Sequence, residues 1–560
     1  MGKKKSDNYD GLCFVPLGGS EQFGVNLNAY SCDNEWLAID MGIGFADEYF
    51  PGIDILLPNP KFLEKKKDKL HALIITHAHE DHIGAVAHLW PRLKCQLYCT
   101  KFTAEILKKK LAEFPDCRGA RITVVEGGET ISIGPFDVQF LAVTHSVPET
   151  ASLFIRTVHG NVLHSGDWNL DPTPVIGEPT NEQEFRALGK EGVLAYVGDS
   201  TNAAVKGRSG SEMDVQKGLA EVIKANDTGA IVVTIFSSNV GRIHSICKAA
   251  EANGRSVGIV GRSLHRMIGA AKTCGYLNDV QDFVDEGELM LLPRENLVVI
   301  ATGSQGEARA QMARIARGDS QFFRVKKGDT VIFSSRAIPG NEKNINYVQN
   351  NLASTNVKVI NPRDTEYCIH ASGHPYRDEI VDMFDWLKPN TVIPVHGERV
   401  MLEAHAKLAK ECQVPNAIIP NNGTVIRLAP NSPQIIDHVE TGVLAVEPGR
   451  LIDSAHPAIG QRRKLQYSGT IHASLVLNGR LDLLADPKIS TVGLIDDETD
   501  DGLDFEDDLI AEVEDVLRDL QKGKRKDEEY IAEEIRIILR RFAFEVLRIK
   551  PKTDVHVTII

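Results

Sequence analysis

This chain is organised around the stretch Leu73-Ile-Ile-Thr-His-Ala-His-Glu-Asp-His82. Its apolar beginning, from Leu73 to Thr76, predicts a short buried strand. Three histidines and one aspartate follow within six positions: His77, His79, Asp81 and His82. Imidazole and carboxylate groups are the ligands that suit zinc and similar divalent ions. Because a strand in a sheet holds its end still, the stretch predicts a metal-binding cleft at a sheet edge.

The spacing inside this cluster divides the ligands into two pairs. His77 and His79 are two positions apart, so they share one face of an extended chain. Asp81 and His82 come after the chain turns, which lets them serve a second ion beside the first. A polar turn with surface histidines is the alternative, and the density of ligands argues against it.

The composition is that of an ordinary soluble protein with several domains. A chain of 560 residues predicts about three or four domains, and 42% of its residues are hydrophobic. Taken alone, the formal net charge of −14 argues against a protein that binds nucleic acid. It does not exclude one, because a local basic groove and bound cations can act inside an acidic protein.

Cysteine usage and hydropathy indicate the compartment. The nine cysteines show no Cys-x-x-Cys spacing, which suits a reducing cytoplasm. No apolar signal-peptide core follows the basic residues Met1–Lys5. No run approaches the roughly 20 apolar residues that a membrane span needs. We therefore expect a cytoplasmic protein that does not enter a membrane.

Three later apolar stretches repeat the pattern of a strand that ends in a metal-competent residue. They deliver His145, Asp167 and Asp199. When the loops of several strands converge at one edge of a sheet, a layered α/β fold with a site at that edge results. The same pattern returns far along the chain, where the strand beginning at Thr391 ends at His396.

The pattern of apolar residues changes after about residue 212. Ala230–Phe236 is almost continuously apolar, as in a buried parallel sheet, and further βα units follow it. This region therefore predicts an inserted doubly wound domain. Beyond about residue 445 the amphipathic helix Ile531–Leu547 and the closing strand Val555–Ile560 predict a small α/β domain for assembly.

The ordered ligands His77, His79, Asp81, His82, His145, Asp167 and His396 resemble the metallo-β-lactamase superfamily. The insertion resembles the β-CASP branch, whose markers match Asp199 in Gly-Asp-Ser-Thr, His374 in Ala-Ser-Gly-His and His396 in Pro-Val-His-Gly-Glu. Within that branch the chain is most similar to the bacterial ribonuclease J family over nearly its whole length. The resemblance implies an αββα metallo-β-lactamase sandwich with a doubly wound β-CASP insertion and a small C-terminal α/β domain. The implied boundaries are 1–212 and 368–445 for the sandwich, 213–367 for the insertion, and 446–560 for the linker and C-terminal domain.

The resemblance also implies two zinc ions per subunit, with manganese or magnesium as ions that support activity. One ion would be held by His77, His79, His145 and Asp167, and the other by Asp81, His82, Asp167 again and His396. It further implies catalytic roles for Asp81, Asp199 and His374. His374 would lie near the scissile phosphate, as a proton donor or as a stabiliser of the phosphoryl charge.

A pocket for a 5′-phosphate is implied at two loops. Its expected residues are Ser237, Ser238, Asn239 and Arg242 in one loop, and His370, Ala371, Ser372, Gly373 and His374 in the other. Helix starts favour anions, although an ordinary helix cap explains a serine there equally well. The first loop departs from the family pattern, which usually carries a histidine and a further basic residue; Arg242 and His244 are the candidates for those roles.

The predicted function is zinc-dependent hydrolysis of single-stranded RNA in RNA maturation, including rRNA processing, and in mRNA decay. The enzyme would remove nucleotides 5′→3′ from 5′-monophosphorylated ends and also cut internally. We expect a homodimer or homotetramer formed through the C-terminal domain, and RNA-degradation partners. The alternatives are a thioester or lactone hydrolase, a non-catalytic RNA-binding scaffold, and a β-CASP nuclease that acts on DNA. The long insertion argues against the first and the intact ligand set against the second.

Overall fold

The computed structural model describes residues 9–495, 500–522 and 527–560, without the side chains of residues 500–503. The basic stretch Met1–Lys5 therefore lies outside the described residues. The chain divides into two compact units, one comprising Met1–Phe45 with Leu56–Leu444 and the other Ala46–Ile55 with Ala445–Ile560. In the part of the chain that is described, no helix is long and apolar enough to cross a membrane.

Strands outnumber helices in the described residues up to about position 200. These strands are β1 (Leu12–Gly18), β2 (Leu27–Cys32), β3 (Glu35–Ile39), β4 (Gly44–Phe45), β5 (Ile55–Pro58), β6 (Leu70–Ile74), β7 (Gln96–Cys99), β8 (Ile122–Val124), β9 (Thr130–Ile133), β10 (Phe136–Ala142), β11 (Ala151–Thr157), β12 (Gly160–His164) and β13 (Ala195–Asp199). The helices between them are α1 (Lys61–Glu64), α2 (Glu80–Ile83), α3 (Val86–Leu93), α4 (Lys101–Ala112) and α5 (Glu182–Glu191).

Strands and helices then alternate through the insertion. They are α6 (Glu212–Lys224), β14 (Ile231–Thr234), α7 (Val240–Ala252), β15 (Ser256–Val260), α8 (Arg262–Cys274), β16 (Leu297–Ala301), α9 (Gln311–Arg317), β17 (Thr330–Phe333), α10 (Glu342–Ser354) and β18 (Lys358–Ile360). After it come α11 (Arg377–Leu387), β19 (Thr391–Val395), α12 (Arg399–Glu411), β20 (Asn416–Ala417), β21 (Thr424–Ala429) and β22 (Gln434–His438).

Two large sheets enclose one apolar core. The first has the strand order β22-β21-β1-β2-β3-β6-β7-β8, and the second β20-β19-β13-β12-β11-β10-β9. A single buried cluster draws on both sheets, with Phe14 and Ile74 from the first and Phe140 and Ile393 from the second. Such a core forms because each sheet turns its apolar face towards the other.

Helices cover the outer face of the second sheet. Phe185 of α5, Phe384 of α11 and Leu408 of α12 share a second buried cluster with Phe154 and Tyr196 of that sheet. In the first sheet, β3, β6, β7 and β8 are parallel neighbours, and α4 contacts β8. This confirms the predicted αββα sandwich.

The insertion is a parallel five-stranded sheet with the order β15-β16-β14-β17-β18. Every residue of β14 is buried, which is expected of a central strand covered on both faces. α9 and α10 pack against one face with Met312 and Val348. α7 and α8 contact β15. The predicted doubly wound insertion is therefore confirmed.

The second unit contains most of the remaining elements. They are β23 (Val443–Glu447), β24 (Arg450–Asp453), α13 (Pro457–Ser468), β25 (Thr470–Leu477), β26 (Lys488–Val492), α14 (Asp500–Leu520), α15 (Glu528–Leu547) and β27 (Lys552–Ile559). β25 pairs antiparallel with β26 and parallel with β27. Leu475 of β25, Leu509 of α14 and Ile535 of α15 form its core. The small C-terminal α/β domain is thus confirmed, and α15 begins three residues before the predicted Ile531.

One predicted helix differs from the observed chain. The sequence predicts a single helix from Ile83 to Leu89, whereas the structure has α2 ending at Ile83 and α3 beginning at Val86. Gly84 lies between them against the backbone of Glu80, and an added Cβ would lie 2.5 Å from the Glu80 carbonyl oxygen. The turn therefore needs a glycine, and it lets α2 carry the ligand residues separately from α3.

Candidate metal centre

The candidate centre lies where strands of both sheets end. β6, β10, β12 and β19 each end shortly before a predicted ligand: His77, His145, Asp167 and His396 respectively. β13 ends at Asp199, and its parallel pairing with β19 places Asp199 opposite Val395. Because the carboxyl ends of parallel strands meet at one edge of a sheet, residues far apart in the chain converge there.

The first group of ligands is His77, His79, His145 and Asp167. His79 Nδ1 lies 3.1 Å from His77 Nε2 and 3.0 Å from His145 Nε2. Asp167 Oδ2 lies 3.7 Å from His77 Nε2 and 3.9 Å from His145 Nε2. One ligand atom from each of the four residues therefore falls within 4.8 Å of the others.

The second group is Asp81, His82, Asp167 and His396. His82 Nε2 lies 3.2 Å from Asp167 Oδ2, and His396 Nε2 lies 3.2 Å from Asp81 Oδ2. His396 Nε2 also lies 3.7 Å from Asp167 Oδ1. Asp167 thus belongs to both groups.

Hydrogen bonds behind the ligands decide which ring nitrogen faces the centre. His145 Nδ1 donates to the Gly373 carbonyl oxygen at 2.6 Å, which leaves its Nε2 without a proton in the neutral ring. Thr201 Oγ1 donates to Asp199, so it accepts from His396 Nδ1 at 3.0 Å. In its neutral form, the His396 ring therefore also turns an Nε2 without a proton inwards, the form that binds a metal.

Asp40 is a further residue that orients the ligands by hydrogen bonds. It is not among the residues predicted from sequence. Its Oδ2 accepts from His82 Nδ1 at 2.8 Å, and its carboxylate accepts from the Thr76 amide and hydroxyl. Thr76 Oγ1 in turn lies 3.0 Å from His77 Nδ1. A carboxylate that orients a metal-binding imidazole is a common arrangement in metal sites. Asp40 directly follows apolar β3, so the rule that found the other ligands also marks it.

The protonation of the first group suits a cation. Burial lowers the pKa of His79 to about 4 and that of His145 to about 3. These rings are therefore neutral at pH 7, as metal ligands must be. Burial favours the neutral carboxyl of Asp167, but His396 and His82 outweigh it and hold the pKa of Asp167 well below its usual range.

In the second group, the charges of the carboxylates outweigh the effect of burial on the histidine pKa values. Burial disfavours the charged rings of His82 and His396, but Asp167 opposes this in both. With Asp81 contributing as well, the pKa of each histidine is raised well above its usual value. A pocket that attracts protons so strongly attracts a divalent cation for the same electrostatic reason.

The residues fit a metal. Asp167 Oδ1 is buried and has no hydrogen-bond partner among the described residues, which is costly unless a cation meets it. The bare nitrogens of neighbouring imidazoles also converge on the same space. Nitrogen and carboxylate ligands of this kind suit zinc and other divalent transition metals.

Asp199 and His374 lie beside the ligands. Asp199 Oδ2 accepts from His374 Nδ1 at 2.7 Å, and His374 Nδ1 lies 3.8 Å from Asp167 Oδ2. Burial lowers the pKa of His374, but the facing Asp199 and Asp167 raise it above its usual value overall. The side chains of His374 and Asp81 are 25% and 34% exposed, whereas Asp167 is 2% exposed, so the centre opens to solvent on their side.

The predicted phosphate-binding loop from His370 to His374 lies at this opening. Ser372 Oγ accepts from Asn202 at 3.0 Å and from the His374 amide at 3.1 Å. A Cβ added at Gly373 would lie 2.9 Å from His145 Cε1, so this close approach requires glycine. His370 is partly buried, and burial together with Arg242 and Arg336 lowers its pKa to about 3.

The other predicted loop behaves differently at its two ends. Ser237 and Ser238 are partly exposed, whereas the Asn239 side chain caps α7 by accepting from the Arg242 amide at 2.8 Å. Arg242 is 1% exposed, and its Nε donates to Glu212 at 2.6 Å. The structure thus does not bring the Arg242 guanidinium to the surface.

Arg242 instead ties the two loops together. Its Nη1 donates to the Ser334 carbonyl at 2.7 Å, and its Nη2 lies 3.4 Å from the Ala371 carbonyl. Arg336, two residues after Ser334, is exposed, and its Nη1 lies 3.3 Å from the Tyr376 hydroxyl. Sequence reasoning missed Arg336, although the Ser334-Ser335-Arg336 turn after β17 repeats the pattern of serines that follow a strand.

Family models match most of the chain. They are a beta-lactamase superfamily domain over residues 36–185, the ribonuclease J beta-CASP domain over 228–352, a Zn-dependent metallo-hydrolase RNA specificity domain over 359–420, and the ribonuclease J C-terminal domain over 457–560. A solved structure of a protein of unknown function from Enterococcus faecalis aligns with a TM-score of 0.52 at 16% identity. It covers 74% of this chain and 99% of that chain, and it supports the fold alone.

The sandwich, the insertion and the shared ligand cluster define a metallo-hydrolase of the metallo-β-lactamase superfamily with a β-CASP domain. A ribonuclease J from Sinorhizobium meliloti is 41% identical over 98% of this chain and 97% of its own length. One from Mycolicibacterium smegmatis is 35% identical over 84% of each chain. One from Streptococcus pyogenes, ribonuclease J 1, is 33% identical over 86% of each. The chain belongs to the ribonuclease J family.

Proposed function

We propose that this chain holds two zinc ions between its ligand groups and degrades RNA from 5′-monophosphorylated ends in the 5′→3′ direction, with internal cleavage as a second mode. The chain is a metal-dependent ribonuclease by membership of its family. The observation that carries the finer proposal is the position of Asp167, which belongs to two ligand groups at once. A pair of ions held by these two groups would suit an in-line displacement at phosphorus.

The proposed chemistry divides between the ions and the side chains. Two bound zinc ions supply Lewis acidity and a nucleophile at neutral pH. His374 Nδ1 donates its hydrogen bond to Asp199, so the Nε2 atom of the ring is the one that can contact a substrate. With its pKa raised, the ring is protonated for a larger share of the time and donates a proton to the leaving 3′ oxygen. Asp199 orients this ring directly, and it orients His396 through Thr201.

Substrate binding is proposed at the two serine loops. The backbone and hydroxyl groups of Ser372 and Gly373, with Ser237 and Ser238, would receive the terminal phosphate at the open side of the centre. Arg336 is an exposed cation near His370 and would provide the charge that phosphate needs. We assign Arg242 a positioning role, because it holds the Ala371 and Ser334 carbonyls from inside.

Several broader expectations belong to the same proposal. The domains would divide at 212/213, 367/368 and 445/446. The protein would work in the cytoplasm as a homodimer or homotetramer assembled through residues 446–560, together with other RNA-degrading proteins. Manganese or magnesium would support activity in place of zinc. Single-stranded RNA is the proposed substrate because members of the family bear the name ribonuclease.

The experiment compares matched ends on one RNA sequence. Purified protein is incubated with labelled RNA that carries a 5′-monophosphate, a 5′-triphosphate or a 5′-hydroxyl, and with DNA of the same sequence. We expect mononucleotides from the monophosphorylated RNA at the highest rate. Equal rates on all three RNA ends would argue against the 5′-phosphate pocket, and faster cleavage of DNA would make the protein a DNA-processing enzyme. No hydrolysis with zinc or manganese supplied would overturn the proposal.

A further inference from the structure

A second cluster of metal-binding side chains lies at the tips of two hairpins. Cys32 and Asp33 are at the turn between β2 and β3, and His159 is in the turn between β11 and β12. The Sγ of Cys32, a carboxylate oxygen of Asp33 and a ring nitrogen of His159 lie within 4.8 Å of one another. The two hairpins belong to opposite sheets of the sandwich.

We propose that Cys32, Asp33 and His159 form a binding site for a single zinc-like divalent cation that joins the two sheets. The site is independent of the proposed catalytic ions. It would take a borderline metal such as Zn²⁺ or Co²⁺ through one thiolate, one carboxylate and one imidazole. A water molecule would fill the fourth tetrahedral position, as in sites with three protein ligands.

The outer part of the site is already oriented. His159 Nε2 lies 2.8 Å from Asp33 Oδ2, so the two ligand atoms face each other. The other oxygen of the same carboxylate accepts from the Gly11 amide at 2.8 Å. A backbone donor of this kind fixes the direction of a metal-binding carboxylate. The side chains of Asp33 and His159 are 56% and 26% exposed, so a cation can enter from solvent.

The inner part of the site is a buried thiol. Cys32 is 1% exposed and belongs to the apolar cluster between the sheets. Burial raises the pKa of the Cys32 thiol to about 11, so the thiol keeps its proton until a cation replaces it and that proton passes to solvent. Sulfur selects zinc, cobalt and similar metals over magnesium and calcium, which prefer oxygen ligands.

The location separates this cluster from the catalytic centre. β3 runs from the hairpin tip at Glu35 to Ile39, and Asp40 of the centre follows it. A strand of this length spans on the order of 16 Å. A cation at Cys32 would therefore act at the opposite end of the sandwich. By joining a turn of one sheet to a turn of the other, it would stabilise the fold by an amount that grows with the logarithm of its concentration above the dissociation constant.

Cobalt provides a signal that the catalytic ligands cannot produce. The full-length protein is stripped with a chelator and titrated with Co²⁺ while its near-ultraviolet absorption is recorded. A cysteine thiolate bound to cobalt gives a charge-transfer band, whereas the centre around Asp167 contains only imidazole and carboxylate ligands. We expect the band in the wild-type protein, with one further cobalt bound per chain than in Cys32→Ser.

Matched variants identify the source of the band. Cys32→Ser should abolish it, and His159→Gln should raise the cobalt concentration at half-saturation at least about tenfold. His159 is partly exposed, so this variant keeps the test informative if Cys32→Ser fails to fold. Cys368→Ser removes an exposed cysteine elsewhere and should leave the band unchanged.

The outcomes separate this proposal from the proposed function. No thiolate–cobalt band in the wild-type protein, or a band of full intensity in Cys32→Ser, would overturn the hairpin site. Hydrolysis of RNA by Cys32→Ser should match that of the wild-type protein. If no variant and no wild-type protein hydrolyses RNA, the proposed function fails, while the cobalt band still decides the hairpin site.

Discussion

Asp40 and His82 lie 2.8 Å apart, with the carboxylate of the first accepting from Nδ1 of the second. Asp40 is 1% exposed and stands behind the ligands, where it also accepts from Thr76. It therefore fixes the orientation of His82 and, through Thr76, that of His77. The geometry of the centre therefore depends on Asp40, which is not itself in either ligand group.

Asp40→Asn should weaken metal binding without removing a ligand. The amide still accepts one hydrogen bond, but it loses the charge that holds the His82 ring, so metal affinity should fall about 10- to 100-fold. Competition with a chromophoric zinc chelator measures this. Asp137→Asn, an exposed substitution on β10, is the control. Unchanged zinc affinity in Asp40→Asn would contradict the assigned role.

Asp167→Asn and His79→Ala should differ in how much metal they lose. Asp167 belongs to both ligand groups and His79 to one, so the first variant should lose both ions and the second one ion. Metal analysis after dialysis measures the content, and both variants should hydrolyse RNA at least about 100-fold more slowly. Equal metal content in the two variants would show that Asp167 does not bridge.

His374→Ala should lower kcat rather than weaken RNA binding. A proton donor contributes about 10²- to 10⁴-fold to rate, so kcat should fall in that range while KM changes little. Single-turnover kinetics on 5′-monophosphorylated RNA provides the measurement. His71→Ala is the matched control, because His71 pairs with Glu35 at the other end of β6. A rise in KM with an unchanged kcat would assign His374 to binding instead.

Arg336→Ala should reduce the preference for a 5′-monophosphate. Loss of a charged hydrogen bond to phosphate is worth about 1.5–3 kcal/mol, which lowers the ratio of kcat/KM for monophosphate over hydroxyl ends at least about tenfold. Arg363→Ala, measured on the same two substrates, is the control for a general loss of positive charge. An unchanged ratio in Arg336→Ala would exclude Arg336 from the pocket.

Arg242→Ala should destabilise the whole protein. It leaves the Glu212 carboxylate without its partner in a site where Arg242 is 1% exposed, and breaking a buried pair costs about 3–5 kcal/mol in the free energy of unfolding. Lys108→Ala, which breaks a more exposed pair with Glu105, should cost about 1 kcal/mol or less. Urea unfolding compares the two variants. Similar losses in both would contradict the inward role of Arg242.

Much of the centre is predictable because its ligands obey a local rule. His77, His145, Asp167, Asp199 and His396 each lie at or just after the end of an apolar strand, and strand ends are where a layered fold collects polar groups. The same periodicity that identifies the strands also predicts the doubly wound insertion. Fold class and ligand type therefore follow from short stretches of chain.

The remaining residues escape that rule because burial and pairing are not local. Arg242 in the sequence has the same appearance as a surface cation at a helix start, yet Glu212 and the Ser334 carbonyl enclose it. Arg336 is equally ordinary in sequence, and only the packing of its turn near His370 marks it. Thr201 orients His396 from 195 positions away.

Residue type and strand-end position are local properties of the chain, and they specify which chemical groups this protein offers a metal. Which of those groups lie together is a property of the tertiary structure. His145 and Gly373 are 228 positions apart, yet a hydrogen bond between them orients one ligand. The parallel pairing of β13 with β19 similarly carries Asp199 to His396. Such contacts depend on sheet order and register, which many distant apolar side chains set together, and therefore no single stretch specifies them.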